Sequence, residues 1–491
     1  MQLSELLNNL PVVQIVGRPD ELEIENITSD SRAVKERSLF VAVKGLTTDG
    51  HKFIQEAVSK GASAVIIDND NLPDQFFLRS GCVKILVKES RDALARISDL
   101  FFGKPSSKMR LIGITGTKGK TTSTFFIKNV LEQSGNKTGL IGTINNYIGD
   151  EILYTKFTTP EAEKVNNLLA EMVEKGCSHT VMEVSSHALE MKRVAYLDFD
   201  IAVFTNITSD HLDFHHSFEN YLKAKKKLFD ELKPDAKILY NIDDKNYSSL
   251  IGGARNAKFS YGMNNDSDFR IFDINFDLNG TEFKLEYEEV VYNLKTTLIG
   301  KFNAYNAAAA FAAGVLLGLN PKTIASAIEF TPQVPGRFEV ISRGEKKVII
   351  DYSHTADSLE QALQALNDIR KDDRKIYTVF GCGGDRDKFK RPVMGEIAER
   401  LSDVVCVTSD NPRTEDPFDI IADIKKGFKK NDYKEIEERE AAIKTAICDS
   451  EENAVILIAG KGHETYQEIN GVRHHFSDKE KAEEYLRKCQ N

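Results

Sequence analysis

Residues 111–122 place an apolar run directly before a glycine-rich turn and a helix-forming stretch. The turn reads Gly116-Thr-Lys-Gly-Lys-Thr-Thr122, and a helical pattern continues from residue 123 to about residue 132. A strand, a glycine-rich turn and a helix in this order form a cradle for phosphate. Glycine lets backbone N–H groups approach the anion, and the helix N-terminus faces it. The chain is therefore predicted to fold around a nucleotide site.

Two side chains of this turn have predicted roles of their own. Lys120 is expected to reach the β- and γ-phosphates, and the Thr121 hydroxyl is expected to bind Mg²⁺. The general pattern G-x-x-x-x-G-K-[ST] requires glycine at position 114, where this chain has Ile114. A strand–turn–helix unit without a nucleotide is the alternative, but it gives no reason for a lysine inside a glycine turn.

Length and composition are typical of a globular protein of several domains. The chain has 491 residues, which corresponds to about three domains of ordinary size. Hydrophobic residues make up 41% of the sequence, and the formal net charge is −10. A general nucleic-acid binder needs a basic surface to neutralise phosphates, so we expect no nucleic-acid partner.

Cysteine usage and hydropathy favour a cytoplasmic protein. The six cysteines are scattered and form no C-x-x-C motif, which fits a reducing compartment better than a disulfide scaffold or a zinc site. The sequence does not begin with a basic segment before an apolar core, so we expect no signal peptide. The longest apolar run, residues 307–319, is shorter than the ~20 residues that span a bilayer, so we expect no membrane association.

Alternating strand and helix patterns predict an α/β fold with three domains. Residues 1–107 form a small α/β domain, with two apolar β-branched runs around a helical pattern. Residues 108–333 form a central α/β domain that begins with the phosphate-binding loop and becomes strand-rich at 237–298. Residues 334–491 contain four strand patterns that each end in a polar loop, which predicts a Rossmann-like domain with a doubly wound parallel sheet.

Two apolar strand patterns of the central domain carry or end in polar residues. The first contains Glu183, whose burial is costly unless the carboxylate is bound to a metal or held in a structural ion pair. The second ends at Asn206, Asp210 and His211. Ligands gather at the carboxyl ends of parallel strands, so these side chains are expected beside the nucleotide. Zinc is disfavoured, because no cysteine lies near and Mg²⁺ with phosphates prefers oxygen ligands.

Two helical segments have patterns that leave their roles open. Residues 221–229 are strongly basic, and composition alone indicates a solvated helix face without singling out Lys225. Asn303 and Asn306 lie three residues apart on one face of an alanine-rich helix. They fit a nucleotide contact and a helix cap equally well.

Polar loops follow the four strand patterns of the third domain. Because several such loops at one sheet edge make a site, we expect a second binding cleft here. Its glycine cluster at 381–384 does not match G-x-G-x-x-G, so a dinucleotide cofactor is disfavoured. The four loops are Asp351-Tyr-Ser-His354, Gly381-Cys-Gly-Gly-Asp-Arg-Asp387, Asp410-Asn-Pro-Arg413 and Gly460-Lys-Gly-His-Glu464.

A phosphate loop and a separate polar cleft together indicate an ATP-driven reaction between two bound substrates. A nucleotide-dependent switch is the alternative from another class, but it needs no second α/β domain with several polar strand-end loops. A ligase that phosphorylates a carboxylate, and then lets an amine attack the acyl phosphate, needs both. Such a step requires Mg²⁺ and cations, because charge accumulates on the transferring phosphoryl group.

The motifs and their order resemble those of a known family. The matching segments are Gly116-Thr-Lys-Gly-Lys-Thr-Thr122, Glu183-Val-Ser-Ser-His187, Asn206-Ile-Thr-Ser-Asp-His-Leu212, the Asn303/Asn306 segment, Gly336-Arg337 and Asp351-Tyr-Ser-His354. Together they cover nearly the whole chain and resemble the Mur ligases, the ATP-dependent amide ligases of peptidoglycan synthesis. Ser353 and Ala356 replace the alanine and proline common in this family, which are small changes of local loop rigidity.

The resemblance implies an ATP site and a metal site. A carbamylated Lys225 would help to position Mg²⁺, since carbamylation turns a cation into the oxygen donor that Mg²⁺ prefers. For this lysine, the resemblance replaces the solvated-face interpretation. The implied ATP-binding residues are Gly116, Thr117, Lys118, Gly119, Lys120, Thr121, Thr122, Asn303, Arg337 and Asp351, with His354 nearby. The implied metal ligands are Thr121, Glu183, His211 and Lys225, and the implied catalytic residues are Lys120, Glu183, His211 and Lys225.

The resemblance also implies sites for two further substrates. The N-terminal domain would bind the UDP part of a UDP-N-acetylmuramoyl-dipeptide, and the C-terminal domain would bind the incoming amino acid. The implied UDP-muramoyl-dipeptide residues are Ser29, Ser31, Leu46, Thr47, Thr48, Thr158, Thr159, Ser185 and Arg193. The implied amino-acid residues are Arg386, Asp410, Asn411, Pro412, Arg413, Gly460 and Glu464.

The form Asp410-Asn-Pro-Arg413 is associated with meso-diaminopimelate in this family. Diaminopimelate carries a distal carboxylate that lysine lacks, and Arg413 can bind a carboxylate bidentately. The resemblance thus implies a cytoplasmic, monomeric enzyme that adds meso-diaminopimelate to the D-glutamate γ-carboxylate of UDP-N-acetylmuramoyl-L-alanyl-D-glutamate through an acyl phosphate. The alternatives are the lysine-adding homologue and a folylpolyglutamate-type ligase.

Overall fold

A computed structural model of the protein describes residues 1–45, 48–370, 374–430 and 432–489. The chain forms two compact units. The first unit comprises Met1–Phe269 and Ala309–Ile324, and the second comprises Arg270–Ala308 and Ala325–Asn491. The three domain boundaries expected from the sequence stay predictions.

The N-terminal part of the first unit is a five-stranded sheet in the order β1-β5-β4-β3-β2. β1 is antiparallel to β5 and the other strands are parallel. Apolar residues of β3, β4 and β5 point to both faces of the sheet and form two buried clusters under the helices. The elements are α1 (Leu3–Leu7), β1 (Val12–Val16), β2 (Asn26–Thr28), β3 (Ser38–Val41), α2 (Ile54–Ser59), β4 (Ala62–Ile67), α3 (Asp74–Ser80), β5 (Val83–Val87) and α4 (Ser90–Phe101).

The rest of the first unit is built on a second sheet with the strand order β13-β12-β11-β6-β10-β7-β8-β9. The strands from β13 to β7 are parallel, and β8 and β9 add an antiparallel edge. The elements are β6 (Arg110–Thr115), α5 (Lys120–Gln133), β7 (Thr138–Ile141), β8 (Asn146–Ile148), β9 (Glu151–Leu153), α6 (Ala162–Glu174), β10 (His179–Glu183), α7 (Ser186–Glu190), β11 (Ile201–Phe204), α8 (Leu212–His215), α9 (Phe218–Asp230), β12 (Lys237–Asn241), α10 (Tyr247–Ile251) and β13 (Ala257–Gly262).

The second unit contains an antiparallel meander and a six-stranded sheet. The sheet order is β17-β18-β22-β19-β20-β21, and all neighbours are parallel except β17 and β18. The elements from residue 269 onward are β14 (Phe269–Asp277), β15 (Gly280–Tyr287), β16 (Val290–Thr296), α11 (Lys301–Leu316), α12 (Pro321–Glu329), β17 (Glu339–Arg343), β18 (Lys346–Asp351), α13 (Ala356–Ile369), β19 (Ile376–Phe380), α14 (Lys390–Leu401), β20 (Val404–Val407), α15 (Pro417–Lys425), β21 (Lys434–Glu435), α16 (Arg439–Cys448), β22 (Val455–Ala459), β23 (Tyr466–Ile469), β24 (Val472–His475) and α17 (Asp478–Lys488).

The α/β architecture and the parallel sheet of the C-terminal segment agree with the sequence prediction. The four predicted strands are β18, β19, β20 and β22, and they are neighbours in one sheet. The helix after the phosphate loop begins at Lys120 rather than at residue 123, since Gly119 turns the chain into it with φ +83°. The small β23–β24 hairpin was not predicted from the sequence.

Two further expectations concern membranes and cysteines. Within the described ranges, no helix is both long and apolar enough to cross a membrane. Cys448 and Cys489 form a disulfide, which the scattered cysteine pattern did not predict. Its two cysteines are 41 positions apart in sequence but have Cα atoms 5.2 Å apart, because α16 and α17 lie side by side.

Candidate active site

The phosphate loop connects the end of β6 to the start of α5 in the first unit. Gly116 passes so close to β11 that a Cβ there would lie 1.9 Å from Thr205 Oγ1. The backbone N–H of Thr117 donates to the Asn206 carbonyl oxygen at 2.8 Å, and that of Lys118 donates to Asn206 Oδ1 at 3.0 Å. Asn206 therefore holds the loop from the neighbouring strand end, and its expected place beside the nucleotide stays a prediction.

Lys120 occupies the first turn of α5 and points back into the loop. Its Nζ donates to the carbonyl oxygens of Gly116 and Thr117, each at 2.9 Å. The phosphate loop thus surrounds the ammonium group of Lys120, and the backbone N–H groups of the same loop are suited to binding an anion. This arrangement fits the predicted role of Lys120 as a phosphate-binding cation.

Glu183 ends β10 beside the phosphate loop and is 1% exposed. Thr121 Oγ1 donates to Glu183 Oε2 at 3.0 Å. Thr143, in the turn after β7, donates from its N–H to Oε1 at 2.8 Å and from its hydroxyl to Oε2 at 3.0 Å. Glu183 forms no ion pair within the described part of the chain, so the structural ion pair considered from the sequence is wrong.

Lys225 lies on the buried face of α9, with 1% exposure. The solvated-face interpretation from composition is wrong for this lysine. Its Nζ donates to the Gly116 carbonyl oxygen at 2.8 Å and lies 4.7 Å from the centre of the Tyr221 ring. Burial lowers the pKa of Lys225 well below its ordinary value, and the charge of Lys120 lowers it further. A neutral amine at this position is a chemically competent nucleophile for carbon dioxide.

His211 belongs to an aromatic cluster next to this site. Its ring centre is 4.9 Å from that of His187 and 6.3 Å from that of Tyr221. Burial lowers the pKa of His211, and it lowers the pKa of His187 and His215 to about 4. The three imidazoles are therefore neutral near pH 7, and His211 Nε2 lies 3.7 Å from Asp210 Oδ2.

The residues expected to bind the muramoyl-dipeptide cluster around Glu183. Thr158 Oγ1 lies 3.0 Å from Thr143 Oγ1, and Thr159 Oγ1 donates to the Glu183 carbonyl oxygen at 2.8 Å. The N–H of Ser185 donates to Thr159 Oγ1 at 3.3 Å. Arg193 donates to the Thr159 carbonyl oxygen at 3.0 Å. All four predicted residues are thus brought together beside the phosphate loop.

The residues expected to bind UDP lie in the N-terminal sheet region. Ser29 Oγ donates to Glu163 Oε1 at 2.8 Å, and Ser31 Oγ donates to Glu56 Oε2 at 3.3 Å. Thr48 is exposed, and its carbonyl oxygen accepts the N–H of Gly45 at 2.8 Å. Leu46 and Thr47 lie outside the described residues.

In the second unit, Asp351 ends β18 and accepts from two neighbours. The Phe338 N–H donates to Asp351 Oδ2 at 2.7 Å, and the Ser353 hydroxyl donates to Oδ1. Burial raises the pKa of Asp351. The Arg337 guanidinium lies 4.9 Å from the centre of the Tyr352 ring, so Arg337 and Asp351 are held around the same turn.

Asn303 and Asn306 are buried at the start of α11. Asn303 Nδ2 donates to the Ile299 carbonyl oxygen at 2.9 Å, and Asn306 Nδ2 donates to Asn303 Oδ1 at 3.0 Å. The pair therefore organises the entry into the helix. His354 is exposed, with Nδ1 2.9 Å from the Tyr352 carbonyl oxygen.

The loops after β20 and β22 of the second unit meet in one hydrogen-bond network. Asn411 Nδ2 donates to Glu464 Oε2 at 2.9 Å, and Lys461 Nζ donates to Asn411 Oδ1 at 3.0 Å. A Cβ on Gly460 would lie 2.4 Å from Asp410 Oδ2, so only glycine permits this approach. Four residues assigned to amino-acid binding, Asp410, Asn411, Gly460 and Glu464, are thereby brought together.

Arg413 has a left-handed backbone, with φ +53°. The hairpin β23–β24 holds it, since the Arg413 N–H donates to the Glu468 carbonyl oxygen at 3.0 Å and the Asn470 N–H donates to the Arg413 carbonyl oxygen at 2.7 Å. Arg413 Nη1 donates to the Gly384 carbonyl oxygen at 2.7 Å, next to the exposed Arg386. The carbonyl oxygen of Pro412 accepts the N–H of residue 415 at 3.0 Å.

Several residues that shape these sites were missed by sequence reasoning. Thr143 follows an apolar strand in a Gly-Thr turn, which is a signal like the one that identified Asn206. Tyr221 lies one helical turn before Lys225, and its hydroxyl is 3.0 Å from Thr117 Oγ1. Lys461 lies in the loop Gly460-Lys-Gly-His-Glu464, but nothing in the sequence shows that its side chain is fully buried.

The first unit contains a donor set that fits a hard divalent cation. Among the described residues, the buried carboxylate of Glu183 accepts from the backbone N–H of Thr143 and from the hydroxyls of Thr121 and Thr143, and no cationic side chain there balances its charge. Thr121 adds a hydroxyl oxygen. Oxygen ligands of this kind are those that Mg²⁺ prefers.

Three family models match consecutive segments of the chain. The Mur ligase family, catalytic domain model matches residues 23–102. The Mur ligase middle domain model matches residues 114–314, and the Mur ligase, glutamate ligase domain model matches residues 336–462.

Full-length relatives agree with these matches. A Clostridium acetobutylicum protein named UDP-N-acetylmuramoyl-L-alanyl-D-glutamate--2,6-diaminopimelate ligase 1 is 42% identical over 99% of this chain and 99% of its own length. A Bacteroides fragilis protein named UDP-N-acetylmuramoyl-L-alanyl-D-glutamate--2,6-diaminopimelate ligase is 43% identical over 99% of both chains. A solved structure titled with that enzyme's name has a TM-score of 0.71 and 30% identity, and covers 100% of this chain and 99% of its own.

This chain belongs to the Mur ligase family, whose members are ATP-dependent amide ligases. The three matched segments give it the three-domain architecture of that family, which confirms the predicted fold class.

Proposed function

We propose that the protein joins meso-diaminopimelate to the D-glutamate γ-carboxylate of UDP-N-acetylmuramoyl-L-alanyl-D-glutamate, with ATP as co-substrate. The observation that carries this proposal is the name and full-length identity of its relatives. The loop Asp410-Asn-Pro-Arg413 supports it, because it presents one arginine beside a buried acceptor network. The reaction yields an amide, ADP and phosphate, as a step of peptidoglycan precursor synthesis.

In the first half-reaction, a γ-carboxylate oxygen of the D-glutamate attacks the γ-phosphorus of ATP, and ADP leaves. Lys120 and the loop N–H groups would stabilise the negative charge that accumulates on the transferring group. Thr158, Thr159, Ser185 and Arg193 would orient the dipeptide, since they surround the strand end that carries Glu183. Positioning by such contacts brings the reacting atoms together at little further entropic cost.

Thr121, Glu183 and a carbamylated Lys225 would hold Mg²⁺, with His211 beside them. When bound, the cation supplies Lewis-acid stabilisation of the phosphoryl oxygens. Lys225 would contribute through its carbamate oxygens, formed when its neutral amine adds carbon dioxide and releases a proton. Asn303, Arg337 and Asp351 would complete the binding of ATP.

In the second half-reaction, the amino group of diaminopimelate attacks the acyl carbon, phosphate leaves and the amine loses a proton. Glu464, Asp410 and Asn411 provide oxygen acceptors suited to an ammonium group. Arg413 provides the cation for the distal carboxylate, and Arg386 lies on the neighbouring loop. The distal end of diaminopimelate carries both an ammonium group and a carboxylate, whereas that of lysine carries only an ammonium group. A site with oxygen acceptors and an arginine therefore favours diaminopimelate over lysine.

Three further features belong to the same proposal. The reaction should require Mg²⁺, because the oxygen donors around Glu183 suit that cation. A cytoplasmic location follows from the use of ATP and of a nucleotide-linked precursor. A monomer is proposed because each predicted substrate has residues for its binding on one chain.

The experiment is a reconstituted reaction with purified protein. Phosphate release and a product of the acceptor mass plus diaminopimelate minus water are expected only when ATP, Mg²⁺, acceptor and diaminopimelate are all present. ATP hydrolysis without an amide product in mass spectrometry would contradict the proposal and favour a nucleotide switch.

A further inference from the structure

A fully buried ion pair lies outside all the residues assigned above. Arg439 begins α16 and Asp478 begins α17, and both side chains are 0% exposed. Arg439 Nε donates to Asp478 Oδ1, and Nη2 donates to Oδ2, each at 2.7 Å. This bidentate geometry fixes the plane of the guanidinium.

The remaining donors of Arg439 bind the main chain at two strand ends. Nη2 donates to the Ala459 carbonyl oxygen at 3.0 Å, and Nη1 donates to the Ser409 carbonyl oxygen at 3.3 Å. Ala459 is the last residue of β22 and precedes Gly460. Ser409 precedes Asp410. One guanidinium therefore connects the two loops that carry Asn411 and Glu464.

Fold stability alone is a weak reason for this charge pair. Removing both ions from water costs free energy that their attraction barely offsets, and apolar pairs of similar volume often stabilise a protein equally well. An apolar pair cannot donate to two carbonyl oxygens at once. The rigid fork of arginine can, whereas a lysine ammonium has no such planar geometry.

The opposite ends of the two helices are joined independently. Cys448 ends α16 and forms the disulfide with Cys489, which follows α17. Next to Arg439, the carboxylate of Glu440 accepts from the Tyr485 hydroxyl and pairs with Lys481 of α17. The helix pair thus has contacts that do not involve Arg439, so its packing and the loop contacts can be tested separately.

We propose that Arg439, held by Asp478, is a positioning residue for the amino-acid site. It sets the spacing of the 409–413 and 460–464 loops so that Asn411 and Glu464 can meet around the incoming amino acid. This inference rests on the proposed function for the identity of the ligand, but not for the loop geometry.

The test compares Arg439→Lys with Cys448→Ser, which removes the disulfide at the far end of the same helix pair. Arg439→Lys should raise KM for the amino-acid substrate that the wild type uses by about tenfold or more, with KM for ATP within about twofold. Hydrogen exchange without substrates should show faster exchange at 409–413 and 460–464 and unchanged exchange at 116–122. Cys448→Ser should change neither quantity.

Asp478→Asn provides a second variant, since it keeps Arg439 but removes the carboxylate that orients the guanidinium. It should accelerate hydrogen exchange at the same two loops. Equal effects of Arg439→Lys and Cys448→Ser, or exchange changes confined to α16 and α17, would overturn the inference. A wild type that uses an amino acid other than diaminopimelate would contradict the proposed function alone. The exchange result would still decide the role of Arg439.

Discussion

Lys225 donates a hydrogen bond from Nζ to the carbonyl oxygen of Gly116, 2.8 Å away across 109 positions of sequence. This contact joins the buried face of α9 to the first residue of the phosphate loop. It places an amine of lowered pKa beside Lys120 and the site expected to hold the triphosphate. A lysine in this position is suited to a chemical role rather than to solvation.

Replacement of Lys225 tests that role. Lys225→Ala and Lys225→Arg should both lower kcat by roughly 10²–10³-fold, because neither side chain can become a carbamate that supplies oxygen ligands. Lys226→Ala is the matched control, since Lys226 is on the same helix and pairs with Asp230 at the surface. Carbon-13 NMR with labelled bicarbonate should show a carbamate signal in the wild type and in Lys226→Ala, and in neither Lys225 variant. Near-normal turnover of Lys225→Arg would contradict the carbamate role.

Arg413→Ala should affect one substrate selectively. Loss of a charge-assisted, bidentate contact with the distal carboxylate should raise KM for diaminopimelate by roughly 30- to 100-fold and leave KM for ATP within about twofold. Steady-state kinetics with each substrate varied in turn measures both. Arg400→Ala, which removes a surface pair with Glu360, should change neither. A parallel rise of both constants would mean that the substitution disturbs the fold of the loop instead.

The carboxyl of Glu163 gives a pH-dependent prediction. Glu163 is 4% exposed, and its Oε2 has no hydrogen-bond partner among the described residues. Burial raises its pKa, against the opposing effect of the Ser29 hydroxyl. The folded state thus holds the proton more tightly, so stability is full below the ordinary glutamate pKa and is lost as pH rises toward the folded value.

Glu163→Gln removes this titration. Compared with the wild type, the variant should become relatively more stable as the pH rises from 4 to 8. Urea unfolding at several pH values measures the difference, and Glu174→Gln, at an exposed position of the same helix, should leave the pH profile unchanged. A difference that shrinks as pH rises would have the wrong sign for a raised pKa.

Gly336 lies at the turn before Arg337, with φ +64°. A Cβ there would lie 2.0 Å from the backbone nitrogen of His463. Gly336→Ala should therefore destabilise the protein by about 3 kcal/mol or more, because two main-chain segments must separate. Gly471→Ala has the same left-handed strain, with φ +78°, but open space around the Cβ. It should cost only about 1 kcal/mol. Equal melting temperatures of the two variants would exclude the close approach as the cause.

Local sequence patterns predicted much of the fold because the central parallel strands of its sheets are buried on both faces. The runs at Val404–Val407 and Val455–Ala459 are apolar and β-branched, and parallel strands under helices require such residues. The loops after these strands could also be located, because polar residues follow each apolar run directly. The disulfide was not, since it depends on a contact between two cysteines 41 positions apart. The β23–β24 hairpin was missed although its turn, Asn470-Gly471, is a strong local signal for a hairpin.

The site was predictable where chemistry is concentrated in a short motif. Asn206 and Glu183 were found from strand ends, but the donor Thr143 is 40 positions from Glu183 and only the sheet order brings them together. Composition misplaced Lys225 among the solvated lysines of α9. Helical spacing would have predicted that Lys225 is buried, because Tyr221, Lys225 and Leu228 lie on one face of the helix and that face is buried.

The most direct test of the proposed function is kcat/KM for meso-diaminopimelate and for L-lysine, measured with the same acceptor and ATP. The predicted ratio favours diaminopimelate by at least about 10²-fold, because lysine leaves the charge of Arg413 without its carboxylate. Robust amide formation with L-lysine, and none with meso-diaminopimelate, would contradict the proposed specificity.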